Sequence, residues 1–308
     1  MKLNTGPAVL GLGYIIGLKY SLIICAGSFL VWLIIIPLMS ALFYDQVLTF
    51  GNDAITATIG SMSPELIFTT YARHIGIGGI ATAGVIGIVK SWGIIKGAVG
   101  LAAKELKGSS NVNTESVQRT QKDISMKIIA IGVIVTMVIT LLFFQFGLLH
   151  NWFYAIIGLL LVGIIAFLFT TVAANAIAIV GTNPVSGMTL MTLILASIIL
   201  VATGLSGTAG MVSALIIGGV VCTALSMAGG FITDLKIGYW LGSTPVKQES
   251  WKFLGTLVSA ATVGGVILIL NQTYGFTSGQ LAAPQANAMA AVIEPLMSGA
   301  GAPWALYA

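Results

Sequence analysis

Chemistry in this 308-residue sequence falls to nine acids, thirteen lysines and arginines, two histidines, two cysteines and a few amides and hydroxyls. One polar group runs from Ala174 to Thr189, where two apolar stretches meet. Gly181, Pro184 and Gly187 should interrupt helical hydrogen bonding there. The freed carbonyls, with Asn175, Asn183, Ser186 and Thr189, would then offer polar contacts to a ligand. Irregular backbone at membrane depth is tolerated only inside protein or beside a water-filled cavity, and carriers use broken helices as binding sites. A tight turn between two hairpin helices accounts for the same residues, because Asn-Pro is a common turn dipeptide. Both readings stand at this point.

A second group comprises Asp234, Lys236, Thr244 and Gln248. Asp234 and Lys236 are two apart, so on a helix they diverge and contact different partners. Thr244-Pro245 marks a new helix, with proline tolerated in its first turn. The plain alternative is a charged cytoplasmic loop that holds the topology. Glu294 stands in the otherwise apolar run Met289–Leu296. An acid at membrane depth is costly and points to a proton carrier or cation partner, whereas a helix ending at Pro295 would leave it wet at the interface. His74, His150, Trp152 and Tyr154 read as interfacial caps and anchors, and Lys90 and Lys96 as snorkelling lysines.

Other chemistry finds no support. Cys25 and Cys222 lie in apolar runs, where a small buried hydrophobe is the ordinary reading. No Cys/His cluster has metal-ligand spacing, so neither a metal site nor a disulfide is expected. Nucleotide, dinucleotide and zincin motifs and the serine elbow are missing, so neither an ATP-driven pump nor a cofactor is expected. An intramembrane enzyme would need a paired nucleophile and base or two facing acids, and nothing here supplies them. The net charge of +4 is small and scattered, unlike the clustered basic face of a nucleic-acid binder.

The elements that must carry these residues are membrane helices. Hydrophobic residues make up 57% of the chain and charged ones 7%, against roughly a quarter charged in soluble domains. No Asp, Glu, Lys or Arg occurs from Ile128 to Thr233, room for about four crossings of ~20 residues. Apolar runs predict spans at 20–43, 77–103, 127–149, 152–180, 187–205, 208–230 and 253–271, with broken segments at 6–18 and 281–308. The fold class is therefore an all-α polytopic membrane helix bundle with broken helices and about 7–9 membrane segments. Lys2 precedes a glycine-broken run with no small-residue cleavage site, so no cleaved signal peptide is expected.

Orientation follows from the basic residues. Lys104, Lys107, Arg119, Lys122 and Lys127 cluster in one stretch, and Lys236, Lys247 and Lys252 in another. Four expected crossings separate them, so both fall on the side that the positive-inside rule makes cytoplasmic. Residues 1–103 form a first helix group with an outside loop at 44–76. A polar cytoplasmic linker at 104–126 precedes a second group, 127–308, with a broken helix near 181–187 and a cytoplasmic loop at 231–252.

Several of these segments resemble, in order, the oligopeptide transporter (OPT) superfamily, particularly prokaryotic members related to the yellow stripe-like metal–chelate transporters. They are Gly11-Leu-Gly-Tyr-Ile-Ile-Gly17 with Trp32–Pro37, Gly76-Ile-Gly-Gly79 leading to Lys90-Ser91, Asn183-Pro184, Asp234-Leu-Lys-Ile-Gly238 through Thr244-Pro245 and Gln248, and Ala283-Pro-Gln285 with Met289–Glu294. The resemblance implies a proton-coupled secondary transporter of oligopeptides or metal–chelate compounds in the inner plasma membrane. Its substrate path would pass Asn183-Pro184, Asp234–Gln248 and Gln285. Members of that family are about twice this long, so the chain is expected to be a fragment, a truncated reading frame or one part of a split transporter, with a missing half or a homo-oligomer as its partner. The alternative is a non-transporting membrane subunit or scaffold that needs a partner chain.

Overall fold

The computed structural model describes residues 7–50, 55–106, 118–180, 185–276 and 284–297. Among the described residues every regular element is helical. The first is α1 (Pro7–Ile16), followed by α2 (Leu18–Phe29), which continues through a π-helical turn, Leu30–Ile35, into α3 (Ile36–Leu42). In the same way α4 (Pro64–Ile67) runs through Phe68–Ala72 into α5 (Arg73–Lys90). Next come α6 (Trp92–Leu106) and α7 (Met126–Phe143), the latter prolonged by the π-helical turn Phe144–Leu149. The remaining helices are α8 (Trp152–Val180), α9 (Val185–Ala202), α10 (Gly207–Leu241), α11 (Pro245–Thr273) and α12 (Pro284–Met297).

Among the described residues, six helical segments are long and apolar enough to cross a membrane: Leu18–Leu42, Pro64–Lys90, Arg119–Leu149, Trp152–Ala178, Gly207–Leu241 and Pro245–Thr273. The chain is an all-α, multi-pass membrane bundle. Its outward surface agrees with this, since Leu22, Ile23, Ile131, Ile134, Leu257 and Ile267 are all exposed. Water would penalise such a surface, whereas lipid tails are as apolar as leucine.

Three expected boundaries differ. Residues 77–103 are not one span: the crossing helix ends at Lys90, and α6 starts at Trp92. The buried Ser91 leaves helical geometry at φ −89°, ψ 4°, and its carbonyl accepts the first amides of α6, from Ile94 and Ile95. The outside loop is shorter than 44–76, because a helix begins at Pro64. Ser63 caps it through Leu66 N–H at 3.2 Å, and proline and Glu65 fill its first turn, as favourable starts require. The stretch 231–252 is mostly helix, α10 running to Leu241 and α11 restarting at Pro245. Cys25 also departs from the buried reading, lying exposed on α2, while Cys222 is half-buried.

The core lies where α10 packs on α8 and α9, with α5 and α12 against α9. Phe169, Leu193, Leu200, Ile217, Leu225 and Ile293 are buried at its centre. A separate apolar cluster of Ile36, Ile59, Ile67 and Tyr71 ties α3 to the start of the second span. There the Tyr71 hydroxyl donates to the Leu48 carbonyl at 2.8 Å, and Trp32 stacks on Phe68 at 5.2 Å.

The glycines set how closely the helices approach. A Cβ on Gly218 of α10 would lie 2.4 Å from Leu193 Cδ2 of α9, whereas one on Gly219 meets nothing within 4 Å. Gly218→Ala should therefore cost about 1–3 kcal/mol by overpacking, seen as a lower melting temperature in detergent by circular dichroism. Gly219→Ala should leave melting unchanged or raise it slightly, by about 1 kcal/mol of helix propensity.

Candidate functional site

Among the described residues, a candidate site lies where α10 turns into α11. Gly242 ends α10 at φ 69°, ψ 27°, a left-handed conformation that glycine adopts without a Cβ penalty. The amides of Gly242 and Ser243 close back onto Tyr239 and Gly238 carbonyls at 3.2 and 2.9 Å. Thr244 then precedes Pro245, the first residue of α11. The chain thus reverses within three residues, 242–244.

A distant segment is bound onto this turn. The Arg119 guanidinium donates to the Thr244 hydroxyl at 3.1 Å and to the Gly242 carbonyl at 3.0 Å. A cation at a helix C-terminus also complements the helix dipole. Val246 N–H donates to the Lys122 carbonyl at 3.1 Å, and Ile124 N–H to Glu249 Oε2 at 2.9 Å. The segment 118–125 and the α10–α11 turn therefore meet at one end of the bundle.

Between the two helices lies a cavity of about 280 Å³ lined by Phe231, Asp234, Ile237, Gln248 and Lys252. Lys252 Nζ donates to Asp234 Oδ2, with side chains 31% and 51% exposed respectively, so water reaches the pair. Gly238 makes room for the Gln248 amide, because a Cβ there would lie 2.2 Å from Nε2. Lys236 turns elsewhere, over the rings of Tyr239 and Trp240 at 5.5 and 5.4 Å.

Both helices set the pair at the same depth. From Gly207 to Thr233 α10 is uncharged, roughly 40 Å at 1.5 Å per residue, and from Phe253 to Thr273 α11 is uncharged over roughly 30 Å. Each run fills a hydrocarbon core of about 30 Å. The pair stands where both uncharged runs end.

Of the residues expected from sequence, Asp234 and Gln248 come together in this cavity, and Thr244 sits in the turn held by Arg119. Asn175 is half-buried on α8 and Thr189 buried on α9, and neither lines the cavity. Ser186 belongs to the first turn of α9 and Gln285 to the first turn of α12. Asn183 and Pro184, the heart of the expected broken helix, lie outside the described residues. Glu294 is exposed on α12, away from the cavity, beside the buried Val292 and Ile293. Pro295 does not end α12, which continues to Met297. Among the described residues no three His, Cys, Asp or Glu group together as metal ligands would.

Lys252 and Arg119 were read from sequence only as markers of orientation, and Glu249 was not singled out at all. The available signal was that Lys252 is the last charge before the uncharged run of α11. Losing the carboxylate of Glu249 leaves the Ile124 amide without its charged acceptor, a bond of about 1.5–3 kcal/mol. Glu249→Ala should therefore raise hydrogen–deuterium exchange at Ile124 about tenfold or more while leaving the α9–α10 core protected.

Comparison with known proteins fits this architecture. The family model described as "OPT oligopeptide transporter protein" matches residues 1–308, the entire chain. A protein of Haemophilus influenzae named "Putative oligopeptide transporter" is 26% identical over 331 aligned positions, covering 94% of this chain and 48% of that relative. The chain thus spans about half the length of this curated relative. No solved structure matches significantly. The chain belongs to the OPT oligopeptide transporter family.

Proposed function

We propose that the chain forms part of a secondary carrier that moves short peptides across the inner plasma membrane, with the α10–α11 cavity on the substrate route. The observation that carries this reading is the cavity itself: opposite charges and an amide beside apolar walls, at the level where both uncharged runs end. The family description and the relative's name speak of oligopeptides, which favours peptides over metal–chelate compounds. The end that gathers Arg119, Lys122, Lys236, Lys247 and Lys252 is assigned to the cytoplasm by the positive-inside rule. The connection expected at 104–126 is then assigned to the cytoplasmic side, and Asn175 and Thr189, which flank the break expected at 181–187, to the substrate path.

Coupling to protons is assigned to Glu294, exposed and the one charged residue of α12. Glu294→Gln should remove the dependence of uptake on an imposed pH gradient while preserving counterflow exchange of peptide.

A second reading is supported by α11, none of whose residues is buried, together with the half-length coverage of the relative. In that reading the chain is a subunit that needs a partner chain. Proteoliposomes containing the purified chain separate the two. The carrier reading expects uptake of a radiolabelled tripeptide, reduced about tenfold or more by Asp234→Asn and by Gln248→Ala, both variants inserting normally. Unchanged uptake in both variants rejects the site. No uptake by the wild-type chain, with a stable partner recovered on purification, supports the subunit reading.

A further inference from the structure

The Asp234–Lys252 pair is more than a tie between two helices. We propose that it is an exchangeable ion pair that reads the two charged ends of a zwitterionic di- or tripeptide: Asp234 takes the ammonium and Lys252 the carboxylate. This rests on the reading that the α10–α11 cavity is the peptide site.

Three features of the cavity support the exchange. First, a partly wet pair gains little from its own Coulomb attraction, so a ligand carrying both charges can open it at small cost. Lys252 engages Asp234 Oδ2, leaving Oδ1 as an acceptor, and an ammonium offers three donors. Second, the groups around the pair match the rest of a peptide. The Gln248 amide donates and accepts, as a peptide bond requires, and is held at the α10 backbone by the absence of a Cβ at Gly238. Phe231 and Ile237 give apolar walls for a side chain. Third, the size selects short ligands. A volume of about 280 Å³ falls just below the range of ligand pockets, roughly 300 to 1,000 Å³.

The location also favours a neutral ligand. At the edge of the hydrocarbon, an entering anion or cation would leave one member of the pair without a counter-charge. A zwitterion replaces both partners at once and keeps the site neutral.

The test is binding of alanyl-alanine, N-acetyl-alanyl-alanine and alanyl-alanine amide to the purified chain in phosphatidylcholine nanodiscs, measured by calorimetry. Expected is binding of the free dipeptide that each cap weakens about tenfold or more. Asp234→Asn should weaken the free dipeptide similarly while leaving the N-acetylated one unchanged. Lys252→Met should do the same for the free dipeptide and spare the amide, and Lys252→Arg should restore binding. Melting temperatures of all variants control for folding. If the variants weaken all three ligands equally, the pair is a structural tie; charge reading falls and the cavity stands as the peptide site. If all three bind equally well to wild type and to every variant, or none binds wild type, the cavity assignment falls with it.

Discussion

The close packing of α10 on α9 at Gly218 and Leu193 is the contact on which the rest of the structure hangs. In lipid, helices gain nothing from hiding apolar surface, so association depends on intimate contact and small residues that permit it. α10 answers that need over its uncharged length and then extends past the core as one rigid rod to Leu241. Packing between α8, α9 and α10 therefore fixes where Asp234 and Gly238 sit, although neither belongs to the buried apolar cluster.

From there the site is assembled by polar contacts at the end of the bundle. Gly242 allows the reversal, Pro245 starts α11, and Lys252 reaches back to Asp234. Arg119, Lys122 and Ile124 bind the approach to α7 onto the same turn. The ends of α7, α10 and α11 are consequently linked by hydrogen bonds, whereas the outer length of α11 carries apolar side chains, none of them buried. A helix held firmly at one end and bare along its length is placed to meet lipid or another chain.

Much of the fold was legible because apolar length is a strong signal: the runs at 127–149, 152–180 and 208–230 each fall on a helix. Failures came where hydropathy and helix ends disagree. Ser91 interrupts an apolar stretch that continues through Trp92, so hydropathy alone joins α5 to α6. Ser63-Pro64-Glu65 carries the marks of a helix start, yet the polar neighbourhood reads as loop. Asp234 and Lys236 also look like loop residues, because the charge of a helix that outruns the bilayer resembles the charge of a connection. The site was half legible. Asp234 and Gln248 stand out by type, but the partner of Asp234 lies on the next helix, and Arg119 meets Thr244 across a separation of 125 residues. Such pairings depend on the hairpin geometry, which local sequence does not encode.

The most direct measurement is a cryo-electron microscopy structure of the chain in nanodiscs with a tripeptide present at saturating concentration. Peptide density between α10 and α11, with Asp234 and Lys252 drawn apart onto opposite ends of the ligand, is the expected result. An intact Asp234–Lys252 pair with the peptide bound elsewhere in the bundle would contradict it.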